Sequence, residues 1–246
     1  MKTIGIIGYK KSGKTTLILK LAEELIKRGY RVAAIKHTNE RIDKPNTDTS
    51  RYQELLSQVA AIDPEETVIF LKGKKNLEEI IPYWDMDIVL IEGFKGEKTF
   101  PKIVCLREES EKARLFDGLQ LCTAGFASPS LPVKSRLFDF NILEEEDIKK
   151  MADMAIEKSF KLPNLNCRAC GYLDCYSLAQ EIVKGNKTIN DCLSLKPSTL
   201  VKVDGKIISM NPFISQMVES TIAGLLSPLK GFTKGNIEIK IEKKIK

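Results

Sequence analysis

Gly8-Tyr9-Lys10-Lys11-Ser12-Gly13-Lys14-Thr15 has the form Gly-x-x-x-x-Gly-Lys-Thr, and no other stretch of this chain restricts its fold as strongly. The apolar run Lys2-Thr-Ile-Gly-Ile-Ile leads into it. A helix-period pattern with Leu17, Leu21 and Leu25 on one face leaves it and stops at Gly29. Strand, glycine loop and helix in that order are the setting in which the pattern cradles phosphate. Glycines let the backbone wrap an anion, consecutive N–H groups and the helix N-terminus face it, and a lysine neutralises it. Gly8, Lys10, Lys11, Ser12, Gly13, Lys14, Thr15 and Thr16 are therefore expected to line a nucleotide-phosphate site, with Thr15 ligating Mg²⁺.

Further strands are expected at residues 31–36, 67–71, 88–91, 103–106 and 119–123. Helices are expected at residues 14–28, about 52–59, and from the acidic cap Glu144-Glu145-Glu146-Asp147 to about Lys158. Strands alternating with helices predict an α/β fold, a mostly parallel sheet with helices on both faces. In such a sheet ligands gather at the carboxyl ends of the strands. Asp87-Ile-Val-Leu-Ile-Glu92 places Glu92 at that end, where a carboxylate can hold Mg²⁺ or position water, and leaves Asp87 at the far edge. Asp48, in the polar loop after the second strand, is a second catalytic candidate beside Lys14 and Glu92; its structural alternative is a helix cap. His37, the one histidine, ends the second strand, where a packing role competes with a direct one.

The chain changes character near residue 160. Residues 1–160 hold 26 Lys and Arg against 26 Asp and Glu, whereas residues 161–246 hold 13 against 7, which is the whole net charge of +6. No basic, aromatic-interleaved surface for nucleic acid is indicated. No apolar run reaches the ~20 residues of a membrane span, and no export leader is evident, so a cytoplasmic protein is expected. Four of the six cysteines, Cys167-x₂-Cys170-x₄-Cys175-x₁₆-Cys192, fall in this second part. Clustered cysteines in a reducing compartment point to a metal or cluster site. One Cys-x₂-Cys pair with an irregular remainder is spaced like a cluster-binding loop, with structural zinc as the alternative. Cys105 and Cys122 stand alone and read as small buried residues. Three segments follow: a P-loop domain at 1–160, a four-cysteine module at 161–196, and a small α+β extension at 197–246. In the extension, Asp204-Gly205 is a hairpin turn, residues 213–226 are helical, and Ile237-Glu-Ile-Lys-Ile is an alternating strand.

Beyond the phosphate loop, Ala34-Ile35-Lys36-His37, Asp48-Thr49-Ser50-Arg51, Glu92-Gly93-Phe94-Lys95 and Pro101-Lys102-Ile103 together resemble the MobB proteins of molybdopterin-guanine dinucleotide synthesis. The resemblance spans residues 1–160. It implies a GTP-binding homodimer with weak GTPase activity that assists a partner enzyme joining GMP to molybdopterin. Asp48 and Glu92 would then lie around Mg²⁺ and the γ-phosphate, with Arg51 and Lys95 as nearby cations. No Asn-Lys-x-Asp guanine motif is present, so GTP rests on the resemblance. No arginine is identifiable as a finger in cis, and slow hydrolysis is expected. Residues 162–192 resemble the four-cysteine [4Fe–4S] domain of corrinoid iron–sulfur proteins and of the B subunit of Rnf complexes. The competing function is an ATP-dependent redox or metallocluster-maturation protein, in which nucleotide state gates the iron–sulfur centre.

Overall fold

The computed structural model describes residues 2–81, 84–126, 137–196, 198–203, 206–233 and 235–241. In chain order the elements are β1 (Lys2–Gly8), α1 (Lys14–Lys27), β2 (Val32–Lys36), α2 (Asp48–Leu55), β3 (Gln58–Ile62), β4 (Thr67–Leu71), α3 (Leu77–Ile80), β5 (Ile88–Glu92), β6 (Lys102–Cys105), α4 (Lys112–Leu115), β7 (Gln120–Gly125), β8 (Phe140–Asn141), α5 (Glu145–Lys158), α6 (Cys175–Val183), β9 (Val201–Val203), β10 (Lys206–Ile208) and α7 (Pro212–Leu226).

Six strands form one sheet in the order β2-β5-β1-β6-β7-β8, and every neighbouring pair is parallel. Covered on both faces, its central strands carry unbroken apolar runs, as Ile88-Val-Leu-Ile shows. One face packs on α1 and α5: Leu17, Leu21 and Leu25 meet Ile4, Ile6, Met151 and Ala155. The three leucines have no exposed surface, and full burial is worth roughly 1.5–3 kcal/mol for each. On the opposite face Leu77 and Ile81 pack against Ile35, Val89, Ile91 and Phe100. The α/β P-loop fold read from the sequence is the fold observed.

Two local expectations are corrected. The helix expected at about 52–59 begins earlier, because the Thr47 side chain caps it by accepting from the Ser50 N–H. It ends at Leu55, and Gln58–Ile62, with alternating exposure and β-branched Val59, forms β3 instead. β3 pairs antiparallel with β4 in a two-stranded sheet separate from the main one. The alternating run Ile237–Ile241 is not a strand. It finds no pairing partner among the described residues, and its isoleucines stay 41%, 49% and 88% exposed. Asp204-Gly205 lies outside the described residues, but β9 and β10 on either side pair antiparallel with Val203 opposite Lys206. Among the described residues no helix is long and apolar enough to cross a membrane.

Candidate functional site

The phosphate loop leaves β1 at the carboxyl edge of the sheet, between β5 and β6. Its glycines are there for space. A Cβ on Gly8 would sit 2.4 Å from Ser12 Oγ and 2.6 Å from the Cys105 carbonyl. Gly13 has φ 90°, and a Cβ there would come within 2.7 Å of Phe126. Lys11 is left-handed too, at φ 64°, so the peptides of residues 10–13 alternate in hand and can turn their N–H groups to one side. Ser12 Oγ is buried without a hydrogen-bond partner among the described residues. The Lys14 ammonium donates to the Tyr9 carbonyl at 2.7 Å, folded back over its own loop. Burial holds its pKa below the usual lysine range, against the pull of Glu92.

Thr15 and Glu92 meet across the β1–β5 junction: Thr15 Oγ1 donates to Glu92 Oε2 at 3.2 Å. A hydroxyl at the helix start facing a carboxylate at the neighbouring strand end is the oxygen donor pair that Mg²⁺ takes beside phosphates. The residues present fit that ion. Lys36 is a further cation, 4.0 Å from Glu92. Asp87, by contrast, sits at the opposite end of β5, where Arg31 hydrogen-bonds it and holds its carboxyl below the usual range.

Not all the named residues converge. Asp48 opens α2, and its largely exposed carboxylate pairs with Arg51 at 3.8 Å. Among the described residues no hydrogen bond or ion pair joins it to Lys14, Thr15 or Glu92. His37 packs: its ring centroid lies 4.5 Å from that of Phe94, and a Cβ on Gly93 would meet it at 3.3 Å. Lys95 does reach the loop, with its ammonium 3.8 Å from the Tyr9 ring centroid. Arg107 also meets the loop and is held by Glu111, and sequence reading passed over both. The available signal was position: Arg107 stands two residues beyond the end of β6, at the same carboxyl edge as Glu92.

The four clustered cysteines line one pocket, closed by Leu178, Leu193 and Ser194. Cys175 and Cys192 are buried, while Cys167 and Cys170 are half-buried. Left-handed Asn164, Asn166, Arg168 and Gly171 coil the chain around them. Cys175 is the first residue of α6, whose N-terminus is fixed by Asp174 accepting from the Ser177 N–H at 2.7 Å. The Cys175 N–H donates to Asn166 Oδ1 at 2.9 Å. Cys167 Sγ lies 3.2 Å from Ser194 Oγ. Among the described residues no three His, Cys, Asp or Glu side chains draw together around a single-ion site. Four soft donors around one pocket, the third at a positive helix end, fit an anionic cluster. Burial raises the Cys192 thiol, so loading the site costs that proton. Cys105 and Cys122 lie in the main core, where burial pushes both thiols up to about 12.

The pocket is not remote from the sheet. Cys175, Leu178, Ala179 and Cys192 share an apolar cluster with Leu119, Phe160 and Leu162. The Asp117 carbonyl accepts from the Tyr176 hydroxyl and, at 3.1 Å, from Gln180, both on α6. The Asp117 carboxylate takes Lys98 at 2.8 Å and the fully buried Lys102 at 2.6 Å.

A glycine loop between the first strand and first helix of a parallel sheet, with a threonine-carboxylate pair at its mouth, defines a P-loop α/β protein. The chain belongs to the MobB family, with a cysteine module appended. The family described as "MobB: Molybdopterin guanine dinucleotide synthesis protein B" matches residues 3–124. A family described as "Putative Fe-S cluster" matches residues 162–194. A Methanocaldococcus jannaschii protein named "Putative molybdopterin-guanine dinucleotide biosynthesis adapter protein" is 33% identical over 240 residues, covering 94% of this chain and 93% of that protein. The Haemophilus influenzae protein named "Molybdopterin-guanine dinucleotide biosynthesis adapter protein" is 42% identical over 117 residues, 44% of this chain and 65% of that one. The crystal structure of Bacillus subtilis MobB superposes with a TM-score of 0.51 at 18% identity, over 62% of this chain and 97% of that chain, and shares its fold.

Proposed function

We propose that this chain is a cytoplasmic adapter in molybdopterin-guanine dinucleotide synthesis that binds GTP with Mg²⁺ and carries a [4Fe–4S] cluster. In this reading residues 1–160 bind nucleotide, 161–196 hold the cluster, and 197–246 extend the surface. One observation supports the nucleotide half above others: Thr15 meets Glu92 at the carboxyl edge of β1 and β5, with the Lys14 ammonium folded over the adjoining loop. Gly8, Lys10, Lys11, Ser12, Gly13 and Thr16 would add backbone and side-chain donors around the β-phosphate. Lys14 would leave the Tyr9 carbonyl for the phosphates, and Thr15 and Glu92 would open to admit the metal. With Asp48 outside this group, Glu92 would position water, and hydrolysis would be slow with no arginine identifiable as a finger in cis. The match that runs through both halves of the M. jannaschii relative supports the adapter role, with molybdopterin and the GMP-transferring enzyme as partners.

Titration of GTP and ATP, each with Mg²⁺, into anaerobically purified protein tests this. GTP is expected to bind about tenfold tighter than ATP, a difference of ~1.4 kcal/mol. Lys14→Ala is expected to weaken GTP by ten- to a hundredfold, as loss of a charged hydrogen-bond donor does. Equal affinities, or tighter ATP, would favour the second reading, in which ATP gates the cluster. The contacts of Tyr176 and Gln180 with Asp117 support that reading, since they tie the cluster module to the nucleotide-binding fold.

The homodimer has its own candidate surface. β3 and β4 stand apart from the main sheet, and one face of the hairpin presents Ile62, Ile69 and Leu71 at 79%, 66% and 51% exposure. A lone apolar hairpin is marginal in water and acquires stability by covering that face. Light scattering should give twice the chain mass for the parent and one chain mass for Ile69→Glu. A dimer that survives this change would exclude the hairpin as the interface.

A further inference from the structure

We propose that Arg107 is the positioning residue of the phosphate loop, a clamp that holds the loop's backbone in its anion-binding shape from the β6 side; this rests on the nucleotide reading above. Glu92 flanks the loop from β5, and Arg107 flanks it from the other neighbour of β1. Its Nη1 donates to the Lys10 carbonyl at 3.2 Å, a side-chain tie from that side to the loop's main chain beyond the β1–β6 ladder, which ends at Gly8 opposite Cys105. The same guanidinium lies 5.9 Å from the Tyr9 ring centroid, and the Lys95 ammonium lies 3.8 Å from it.

What makes this a built feature is Glu111. It is 3% exposed, and among the described residues its carboxylate accepts from Arg107 alone: the backbone N–H at 2.9 Å, Nε at 2.8 Å and Nη2 at 2.7 Å. A buried carboxylate is costly unless its partner is fixed in place. Glu111 therefore fixes the guanidinium plane, and Nη1 is left over to reach the loop. That reach has a consequence one residue on. With the Lys10 carbonyl held outward, the Lys10–Lys11 peptide turns its N–H the other way, and Lys11 takes its left-handed φ of 64°. A left-handed lysine is a costly backbone state that needs outside support. The N–H groups it exposes are those a β-phosphate meets.

The clamp acts through the loop, so it should serve nucleoside di- and triphosphates alike. A cation that touched the γ-phosphate would favour the triphosphate alone. Lysine can keep Glu111 neutralised but has no planar fork to span Glu111 and the Lys10 carbonyl together. The experiment measures binding of GTP, GDP, ATP and ADP with Mg²⁺ to the full chain, together with melting of the nucleotide-free protein. Three proteins are compared: the parent, Arg107→Lys, and the double variant Arg107→Met/Glu111→Met, which removes both charges at similar volume.

Both variants are expected to melt within a few degrees of the parent and to bind the di- and triphosphate about tenfold more weakly, in equal measure. The proposal is overturned if affinities stay within twofold of the parent, if only the triphosphate is affected, or if affinity falls only where melting falls with it. A parent that binds no nucleotide at all would instead overturn the nucleotide reading, and the two failures are distinct.

Discussion

Asp117→Ala is expected to lower the unfolding free energy by about 3–5 kcal/mol, the cost of leaving a buried charge without its partner. Lys102 rises from β6 into the core with no exposed surface, and its ammonium is shared between Asp117 Oδ2 and the Lys95 carbonyl at 3.0 Å. Burial holds Lys102 below the usual lysine range despite Asp117. Burial pushes Asp117 the other way, up, but the bonds from Lys102 and Lys98 win and hold it below the usual carboxylate range. The two directions agree physically, since two ammonium groups serve one carboxylate. Removing Asp117 strands Lys102 and also frees the segment whose carbonyl anchors Tyr176 and Gln180. Lys102→Met keeps the volume and leaves Asp117 paired to Lys98, so it should cost less than ~1.5 kcal/mol. Urea unfolding of both variants checks the order; a Lys102→Met penalty equal to that of Asp117→Ala would contradict it. The pH dependence has a definite sign. With its folded pKa depressed, Asp117 contributes stability above its unfolded value of ~3.9 and loses it as pH falls through the folded value. The parent should therefore weaken in acid more steeply than the Asp117→Ala variant.

How far the sequence foretold this molecule depends on the range of the forces involved. The phosphate loop, the helix after it and the strand ending at Glu92 are written in neighbouring residues: glycine where a Cβ would collide, leucine every third or fourth place, four aliphatics in a row. Local pattern and final packing agree there, so both could be read. The stretch from 48 to 62 went differently because its helix start was decided by one side chain, Thr47, and the strand after it by a partner five to thirteen residues on. Ile237–Ile241 has a strand's alternation but lacks a neighbour, and alternation without a ladder leaves a chain extended and exposed. At the site, Thr15–Glu92 was foreseeable because both residues end elements that meet at the carboxyl edge. Asp48 was not placeable, because a carboxylate in a polar loop faces whatever the loop's caps dictate. Arg107 and Glu111 were missed for a further reason: their importance lies in a contact 97 residues away, between Arg107 and Lys10.

Cys175→Ser is expected to abolish iron binding, where Cys105→Ser, in the core of the main sheet, should retain the parent's full iron and sulfide. Cys175 is buried, starts α6, and stands one residue before Tyr176, the residue that ties the helix to Asp117. Its loss should also be felt beyond the module. Cys175, Leu178 and Cys192 pack in one cluster with Leu119, Phe160 and Leu162, which flank β7 and follow α5. Ala179 belongs to the same cluster and half-buried Tyr172, Tyr176 and Ile182 pack against it, and binding of a group that needs the folded site contributes directly to folding stability. The urea midpoint of Cys175→Ser should therefore fall, whereas Cys167→Ser, at the half-buried rim, should lose iron with a smaller fall. Anaerobic purification followed by iron, sulfide and zinc counts decides the chemistry. Four iron and four sulfide per chain in the parent, and none in Cys175→Ser, is the expected result. One zinc per chain in the parent would replace the cluster by a structural ion. Iron retained in Cys175→Ser would show that the pocket between α6 and Ser194 is not where it binds.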